Sequence, residues 1–372
     1  MLLSVAAGKG MQAKIREKAA VFSGHALILP YNNNHSQLTL EPVKLRQNFY
    51  PGYRNLPDVA HISPFATIGG ILKKGNDFEG IIFKGVDSTY DWHLFRPYLK
   101  QGKIPVFHKH QTNDSILISR YLAERLRLKT GDKVRAYFLR RGSDKPLVRR
   151  FFIGGIYETD FEDYDKNYII GDLNQVRRLY HWSDSLTGGF EVLYRHFDRM
   201  EQNTAALNGQ LDPMLIALSL RDLNPYLFDW LDMFDFNIYI IIFILLIVSA
   251  LSMSTVMLVM ITERIRHIGI LRTLGATDLS VMGIFLLKAL WFVATGLILG
   301  NILALGIIFL QNRYGIISLN PEVYYVKKAP LLISLKQLLI LDIGVMVLIG
   351  LLMILPAKIV SAIKPGEVLK WD

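Results

Sequence analysis

The chain has 372 residues, 51% of them hydrophobic, with no cysteine and a formal net charge of +10 from 42 Lys and Arg against 32 Asp and Glu. The lack of cysteine excludes disulfides, thiolate metal centres and cysteine nucleophiles. The basic excess gives no case for a nucleic-acid partner, because the Lys and Arg that cluster flank long apolar runs, where a membrane accounts for them.

The opening "MLLSVAAGKGMQAKIREK" is not a signal peptide: its apolar part is too short and no basic region precedes it. Residues 1–20 instead read as the outer end of a transmembrane helix and a stalk, with the first half of that helix expected upstream. "AAGKGM" contains Gly-Lys but lacks the earlier glycine and the following Ser or Thr of a phosphate-binding loop. Residues 21–236 have the composition of a soluble domain. Short runs rich in Ile, Val, Phe and Tyr at 25–31, 80–87, 114–119, 132–139, 149–157 and 167–172 predict strands. A helix is predicted after Ser119, with Leu122, Leu126 and Leu128 on its apolar side and Thr130-Gly131-Asp132 ending it. A second is predicted at 173–182, and 203–234 reads mostly as helix leading into the membrane. His108 and His110 are expected on one face of a strand. Two imidazoles without a third ligand at helpful spacing read as a solvated pair rather than a metal site. No nucleophile motif such as GxSxG occurs.

Three apolar stretches follow. Residues 238–261 carry no charge, 281–310 carry only Lys288, and 338–357 carry only Asp342. Each is long enough to cross a hydrocarbon core, which takes about 20 residues. Arg264, Arg266 and Arg272 in the first connection, with Lys358, Lys364 and Lys370 in the tail, outnumber Arg313, Lys327, Lys328 and Lys336 in the second connection. The bias places the first connection and the C-terminus in the cytoplasm and the soluble domain outside. Asp229, Asp232 and Asp235 precede the first span with no basic neighbour in sequence. Lys288 and Asp342 then fall in opposite leaflets and are not expected to pair. Lys288 is expected to snorkel, whereas Asp342 has too short a side chain to reach as far.

The first connection is "ERIRHIGILRTLGATDLSVMGIF", residues 263–285. Its basic residues, with Ile265, Ile268 and Leu271 at helical spacing, make an amphipathic helix that Gly275 ends and after which Thr277 or Asp278 caps the next helix. Such a segment is either a handle for a cytoplasmic partner or a helix lying on lipid headgroups.

This stretch resembles the signature of FtsX/MacB-type ABC permeases. "LNPEVYYVKKAP" (319–330) and "PAKIVSAIKPGEVLKWD" (356–372) resemble the corresponding loop and tail of the LolC/LolE family of lipoprotein-releasing permeases, and "ISPFATIGG", "LAERLRLKTGDKV" and "GIYETDFEDYDKNYIIGDLNQVRRLY" fall in the same order as in that family. The resemblance implies an α/β periplasmic domain, porter-like with an inserted β-rich subdomain, over residues 21–236. That domain would stand on an α-helical membrane bundle, 237–372, of three complete transmembrane helices plus the end of a fourth. It implies a permease that extracts lipoproteins from the outer leaflet of the inner membrane for a periplasmic carrier of the LolA type. The chain would work with a second permease copy or paralogue, among membrane lipids, and would have no ATPase site or cofactor of its own. ATP and Mg would be bound by a separate LolD-like ATPase gripping a coupling helix formed by Glu263, Arg264, Ile265, Arg266, Ile268, Leu271, Arg272 and Gly275.

An acyl-chain cleft is expected at Met233, Phe236, Ile240 and Phe243, which share one helix side, facing Leu2, Leu3 and Val5 across a permease dimer. Where LolC-type members carry a long carrier-docking hook, 139–152 reads as a short basic hairpin, which points to a LolE-like partner or to a different way of docking the carrier, with Arg140, Arg141 and Lys145 as the docking candidates. The alternatives are an FtsX-like transmitter acting on cell-wall hydrolases and a MacB-like efflux or mechanotransmission permease. An outer domain larger than 200 residues argues against the first, and the lack of an ATPase in the chain against the second.

Overall fold

The computed structural model describes residues 1–33, 36–53, 58–139 and 146–358. The chain forms two units. One gathers Met1–Ala13, Trp230–Ser318 and Lys328–Asp372, and the other Lys14–Asp229 and Leu319–Lys327.

The second unit is α/β. Its strands include β1 (Ala26–Pro30), β2 (Val43–Lys44), β3 (Val59–Lys74), β4 (Asp77–Val86), β5 (Leu99–Gly102), β6 (Ser115–Ser119), β7 (Lys133–Phe138), β8 (Leu147–Tyr157), β9 (Tyr168–Asp172), β10 (Leu186–Thr187), β11 (Gly189–Tyr194) and β12 (Leu215–Ser219). The long strand β3 is the hub. It pairs β4 along one edge, while on its other edge β11 takes the first half and β7 the second. Following the pairings from β3 through β4, β9, β6, β8 and β7 leads back to β3, so these six strands close into a barrel. Closure removes free edges. Inward residues fill the ring: Leu72, Phe83, Ile116, Phe138, Phe151 and Ile169 are all buried. Phe83 stacks on Phe151 at 5.4 Å between ring centroids and meets Phe138 edge-on at 5.9 Å. The remaining sheet continues from β3 through β11 and β1 to β12, and β5 pairs with β8.

The predicted strands match β1, β4 and β6–β9, and 203–234 is mostly helix as expected, with one strand inside it. It contains α5 (Met200–Asn208), then β12, because Leu215, Ala217 and Leu218 fill a buried edge beside β1. Helix α2 (Arg120–Arg125) starts as expected, with Ser119 Oγ accepting from the Leu122 N–H at 3.1 Å. It is shorter than expected, since Arg127 adopts a left-handed φ of 50°. His108 and His110 sit in a turn closed by the His108–Gln111 bridge rather than on a strand, and His110 Nδ1 lies 3.5 Å from Asp184. Helices α3 (Glu162–Asp165) and α4 (Leu173–Tyr180) flank β9.

Helix α1 (Leu2–Ser23) ends in the α/β unit at a buried ion pair. Lys84 pairs with Glu191 and also donates to the Phe22 carbonyl at 2.7 Å, so one cation satisfies an orphan carbonyl at the helix terminus.

The first unit is helical. After α6 (Leu220–Leu223), α7 (Pro225–Glu263), α9 (Asp278–Tyr314) and α11 (Leu335–Leu352), the last continued by α12 (Ile354–Ala357), are long and apolar enough to cross a membrane. Only 6% of the most apolar window of α7 or α9 is buried within the chain. Faces so apolar and so exposed need lipid or another protein chain around them. What packs inside is a narrow seam including Met257, Ile261, Phe285, Val345, Ile349 and Met353.

The start of α1 joins this unit through small residues. A Cβ on Gly8 would lie 2.1 Å from Ile238 Cδ1, and one on Gly10 would lie 2.1 Å from the Pro330 carbonyl oxygen. The Leu332 N–H donates to the Ala6 carbonyl at 3.0 Å, Gln12 Nε2 donates to the Leu231 carbonyl at 3.0 Å, and Lys9 pairs with Asp235 at 2.8 Å. The glycines of "AAGKGM" therefore serve close helix approach, and Asp235, which lacks a basic neighbour in sequence, has one in space.

Candidate functional site

The connection between α7 and α9 is built as a separate short helix. Arg264 breaks the ladder with φ −112° and ψ 12°, α8 (Ile265–Thr273) follows, and Gly275 at φ 93° provides the left-handed turn that ends it. Thr277 caps α9 by accepting from the Ser280 N–H. The expected apolar side is divided. Ile268 is buried in the bundle seam and Ile265 is half-buried, so neither gives the broad outward face expected of them. The outward apolar residues are Ile270, Leu271 and Leu274, the last 80% exposed. Among the cations, Arg266 and His267 are exposed, whereas Arg272 turns inward to pair with Asp278 at the start of α9. The surface that α8 offers is thus Arg266, His267, Ile270, Leu271 and Leu274, with Glu263 and Arg264 exposed at its entrance.

Met233, Phe236, Ile240 and Phe243 are all exposed, between 41% and 65%, on one side of α7. Ordinary packing inside this chain does not account for them. Within the chain, Leu2 and Leu3 line an apolar cavity of about 730 Å³ with Val248, Met253, Leu297 and Ala304. Asn301 also lines it and donates from Nδ2 to Asp342 Oδ2 at 2.7 Å, which gives the intramembrane carboxylate a partner on α9. Arg140, Arg141 and Lys145 lie outside the described residues.

A second constellation escaped sequence reading. Leu319–Lys327, from the connection between α9 and α11, belongs to the α/β unit. It includes α10 (Pro321–Tyr324) and Tyr325, whose left-handed φ of 56° aims its carbonyl at Lys18. Lys18 Nζ donates to that carbonyl at 2.9 Å and to Asp160 at 3.2 Å. Lys327 reaches Glu158 at 2.6 Å and Asp160 at 2.9 Å, and the Tyr325 ring stacks on Phe161 with centroids 4.7 Å apart. Beneath them, Asp165 accepts from Thr159 Oγ1 at 2.7 Å and from the Thr159 and Asp160 N–H groups, both at 3.0 Å.

The electrostatics follow burial. Desolvation draws the Lys18 ammonium below its ordinary pKa despite Asp160 beside it. Burial alone would raise Asp160, but Lys327 and Lys18 outweigh it and hold this carboxyl low. The two partners shift in ways that do not mirror each other because Lys18 is the more deeply enclosed, with its side chain 4% exposed against 20% for Asp160. Among the described residues no ion pair reaches Asp165, and burial pushes it up to about 6. The sequence signal was the acid-rich run 158–165 and a distant Lys327-Lys328 pair. Nothing local joins them.

The FtsX-like permease C-terminal family matches residues 239–365. Over the whole chain, the protein is 21% identical to the lipoprotein-releasing system transmembrane protein LolC of Xylella fastidiosa (strain Temecula1), covering 90% of that protein. It is also 21% identical to LolC of Neisseria meningitidis serogroup B, over 98% of this chain and 88% of that one. The same figure holds for LolE of Haemophilus influenzae, over 99% of this chain and 90% of the relative. Among solved structures, the periplasmic region of MacB from Actinobacillus actinomycetemcomitans aligns with 54% of the chain and 91% of its own, at 12% identity and a TM-score of 0.37, a score at which no common fold follows. Full-length likeness to LolC and LolE and an FtsX-like C-terminal domain support a LolC/LolE-type permease, and with three helices able to span a bilayer they support a multi-pass inner-membrane protein with a periplasmic domain.

Proposed function

We propose that this chain is the permease subunit that extracts lipoproteins from the outer leaflet of the inner membrane and passes them to a periplasmic carrier. A LolD-like ATPase acting on α8 supplies the drive. The observation that carries the coupling half is the outward surface of α8: a basic and apolar patch on a nine-residue helix, set off from both neighbouring spans by a backbone break and a left-handed glycine. Such a helix moves as a rigid lever, because its ends are hinged while Ile268 and the Arg272–Asp278 pair fasten it to the bundle. Arg266 and His267 suit an acidic groove rim, and Ile270, Leu271 and Leu274 suit its apolar floor.

The substrate half rests on the names of the full-length relatives and on the exposed side of α7. Acyl chains need no specific bond, only apolar surface, at about 0.8 kcal/mol per buried methylene. Met233, Phe236, Ile240 and Phe243 offer that surface, with a second permease copy or paralogue opposite.

One reconstitution tests both halves. The chain, with a photo-crosslinking residue in place of Ile240, is assembled with its ATPase in proteoliposomes containing a lipoprotein. The expected result is a lipoprotein crosslink that ATP abolishes, and that persists with ATP when Arg266→Glu is added. Crosslinks to neighbouring helices alone would overturn the substrate assignment. Loss of the lipoprotein crosslink on ATP in Arg266→Glu, at the wild-type rate, would overturn the coupling assignment.

A further inference from the structure

At the cytoplasmic end of the helical unit, Glu263 and Arg264 share a cavity of about 460 Å³ with Lys288 of α9. All three are exposed, and among the described residues no hydrogen bond or ion pair reaches their side chains. Lys288 is ten residues along α9 from Asp278, about 15 Å at the helical rise. An ammonium at such depth on an apolar surface must be hydrated, paired or drawn toward the headgroups. The cavity gives it a direction to take, because Arg264 stands at the same opening. The rest of the lining is apolar, and Leu287, Trp291 and Phe292 run along it. Trp291 is 71% exposed and Phe292 is 52% exposed, so both face outward from the chain. A tryptophan beside cations is placed for a ligand that is charged at one end and oily at the other.

The charges specify that ligand further. Two cations and one carboxylate leave a net charge of +1, which one phosphodiester neutralises. Guanidinium and ammonium both donate strongly to phosphate oxygens, and the guanidinium can do so through two parallel bonds. Glu263, beside them, suits the ammonium of an ethanolamine headgroup.

We propose that this cavity binds a phospholipid of the cytoplasmic leaflet. Arg264 and Lys288 hold its phosphodiester, Glu263 accepts from an ethanolamine headgroup when one is present, and the acyl chains lie along Leu287, Trp291 and Phe292. Because Arg264 is the residue at which α7 ends and α8 begins, the lipid sits at the entrance to α8. The proposal needs neither the lipoprotein substrate nor the ATPase, so it stands or falls apart from the preceding reading.

The test is native mass spectrometry of the full chain released from detergent, with added phosphatidylethanolamine, phosphatidylglycerol or inorganic phosphate. Wild type should carry a retained phospholipid. Arg264→Gln with Lys288→Gln should lower its occupancy roughly tenfold, the loss of about one charged hydrogen bond's contribution. Lys288→Arg should retain it, and Glu263→Gln should weaken phosphatidylethanolamine while leaving phosphatidylglycerol. These side chains are exposed, so the variants do not disturb the packed seam. Unchanged occupancy in the double variant would overturn the proposal. So would an equal loss from Lys336→Gln at the opposite end of the bundle, which would mean general charge attraction. Displacement of the lipid by millimolar phosphate would mean a site for free anions and would overturn it as well.

Discussion

Two buried titratable residues in the α/β unit pull its stability in opposite directions. Asp165, raised by burial to about 6 from an ordinary 3.8, is happier protonated in the fold, so its contribution is present below about pH 4 and is lost as pH rises through 6. His25 is lowered by burial from 6.5 to about 4, and its Nδ1 accepts from the Tyr194 N–H at 2.9 Å, which requires that nitrogen unprotonated. Its contribution is present above 6.5 and is lost as pH falls through 4. Each shift corresponds to about 3 kcal/mol, so between roughly pH 4 and 6.5 the two largely offset each other. We expect the wild-type stability curve to be nearly flat there. Asp165→Asn should unmask a stability that rises with pH, and His25→Asn one that falls with pH. Denaturant titrations of the full chain at several pH values, followed by tryptophan fluorescence, measure this. Parallel curves for all three proteins would show that neither residue governs the pH response.

Helix α1 meets its neighbours where side chains are absent. Gly10 lets the backbone of α1 approach the Pro330 carbonyl, and a Cβ there would stand 2.1 Å from that oxygen with further backbone atoms at 2.7 Å and 2.9 Å. Backbone cannot yield as a flexible side-chain tip does, so the whole segment must move. Gly10→Val should therefore break the Leu332–Ala6 hydrogen bond and lower the thermal midpoint of the detergent-solubilised protein, at a cost of about 1–3 kcal/mol from overpacking. Gly283→Val is the control, since a Cβ on Gly283 meets nothing within 4 Å. Equal midpoints for the two variants would remove the close approach as an explanation for the Gly10 position. The same reasoning explains the left-handed Tyr325. A non-glycine residue holds that backbone only under surrounding constraint, and here the ring stack on Phe161 and the Lys18 bond to its carbonyl supply it.

Across the whole molecule, the absence of cysteine makes topology directly measurable. Met214 is 73% exposed in the α/β unit, and His267 is exposed on α8. With the α/β unit outside, Met214→Cys should react with an impermeant thiol reagent in intact spheroplasts, and His267→Cys should react only after lysis. The reverse pattern would invert the orientation. The measurement matters because both proposals depend on it: α8 must face the cytoplasm to meet an ATPase, and the Lys288 cavity must open to the inner leaflet.

The sequence by itself determined the three membrane spans, the break between α7 and α9, the cap at Ser119, a second cap at Thr277 or Asp278, and most strands of the barrel. These are local signals: apolar run length, a glycine that can turn left-handed, a hydroxyl before a helix, and β-branched alternation. The candidate coupling helix was legible for the same reason, since its basic residues and its closing glycine lie within thirteen residues, Glu263 to Gly275. Only the tertiary structure decided which of its side chains are available. Ile268 and Arg272 have the right spacing to face a partner, but the bundle seam and Asp278 occupy them. The closure of β3 through β7 into a barrel, the strand at 215–219, the Lys18–Asp160–Lys327 cluster and the joining of Arg264 with Lys288 were likewise decided in three dimensions. Each depends on residues far apart in the chain, and their pairing is chosen by burial and charge rather than by any periodicity.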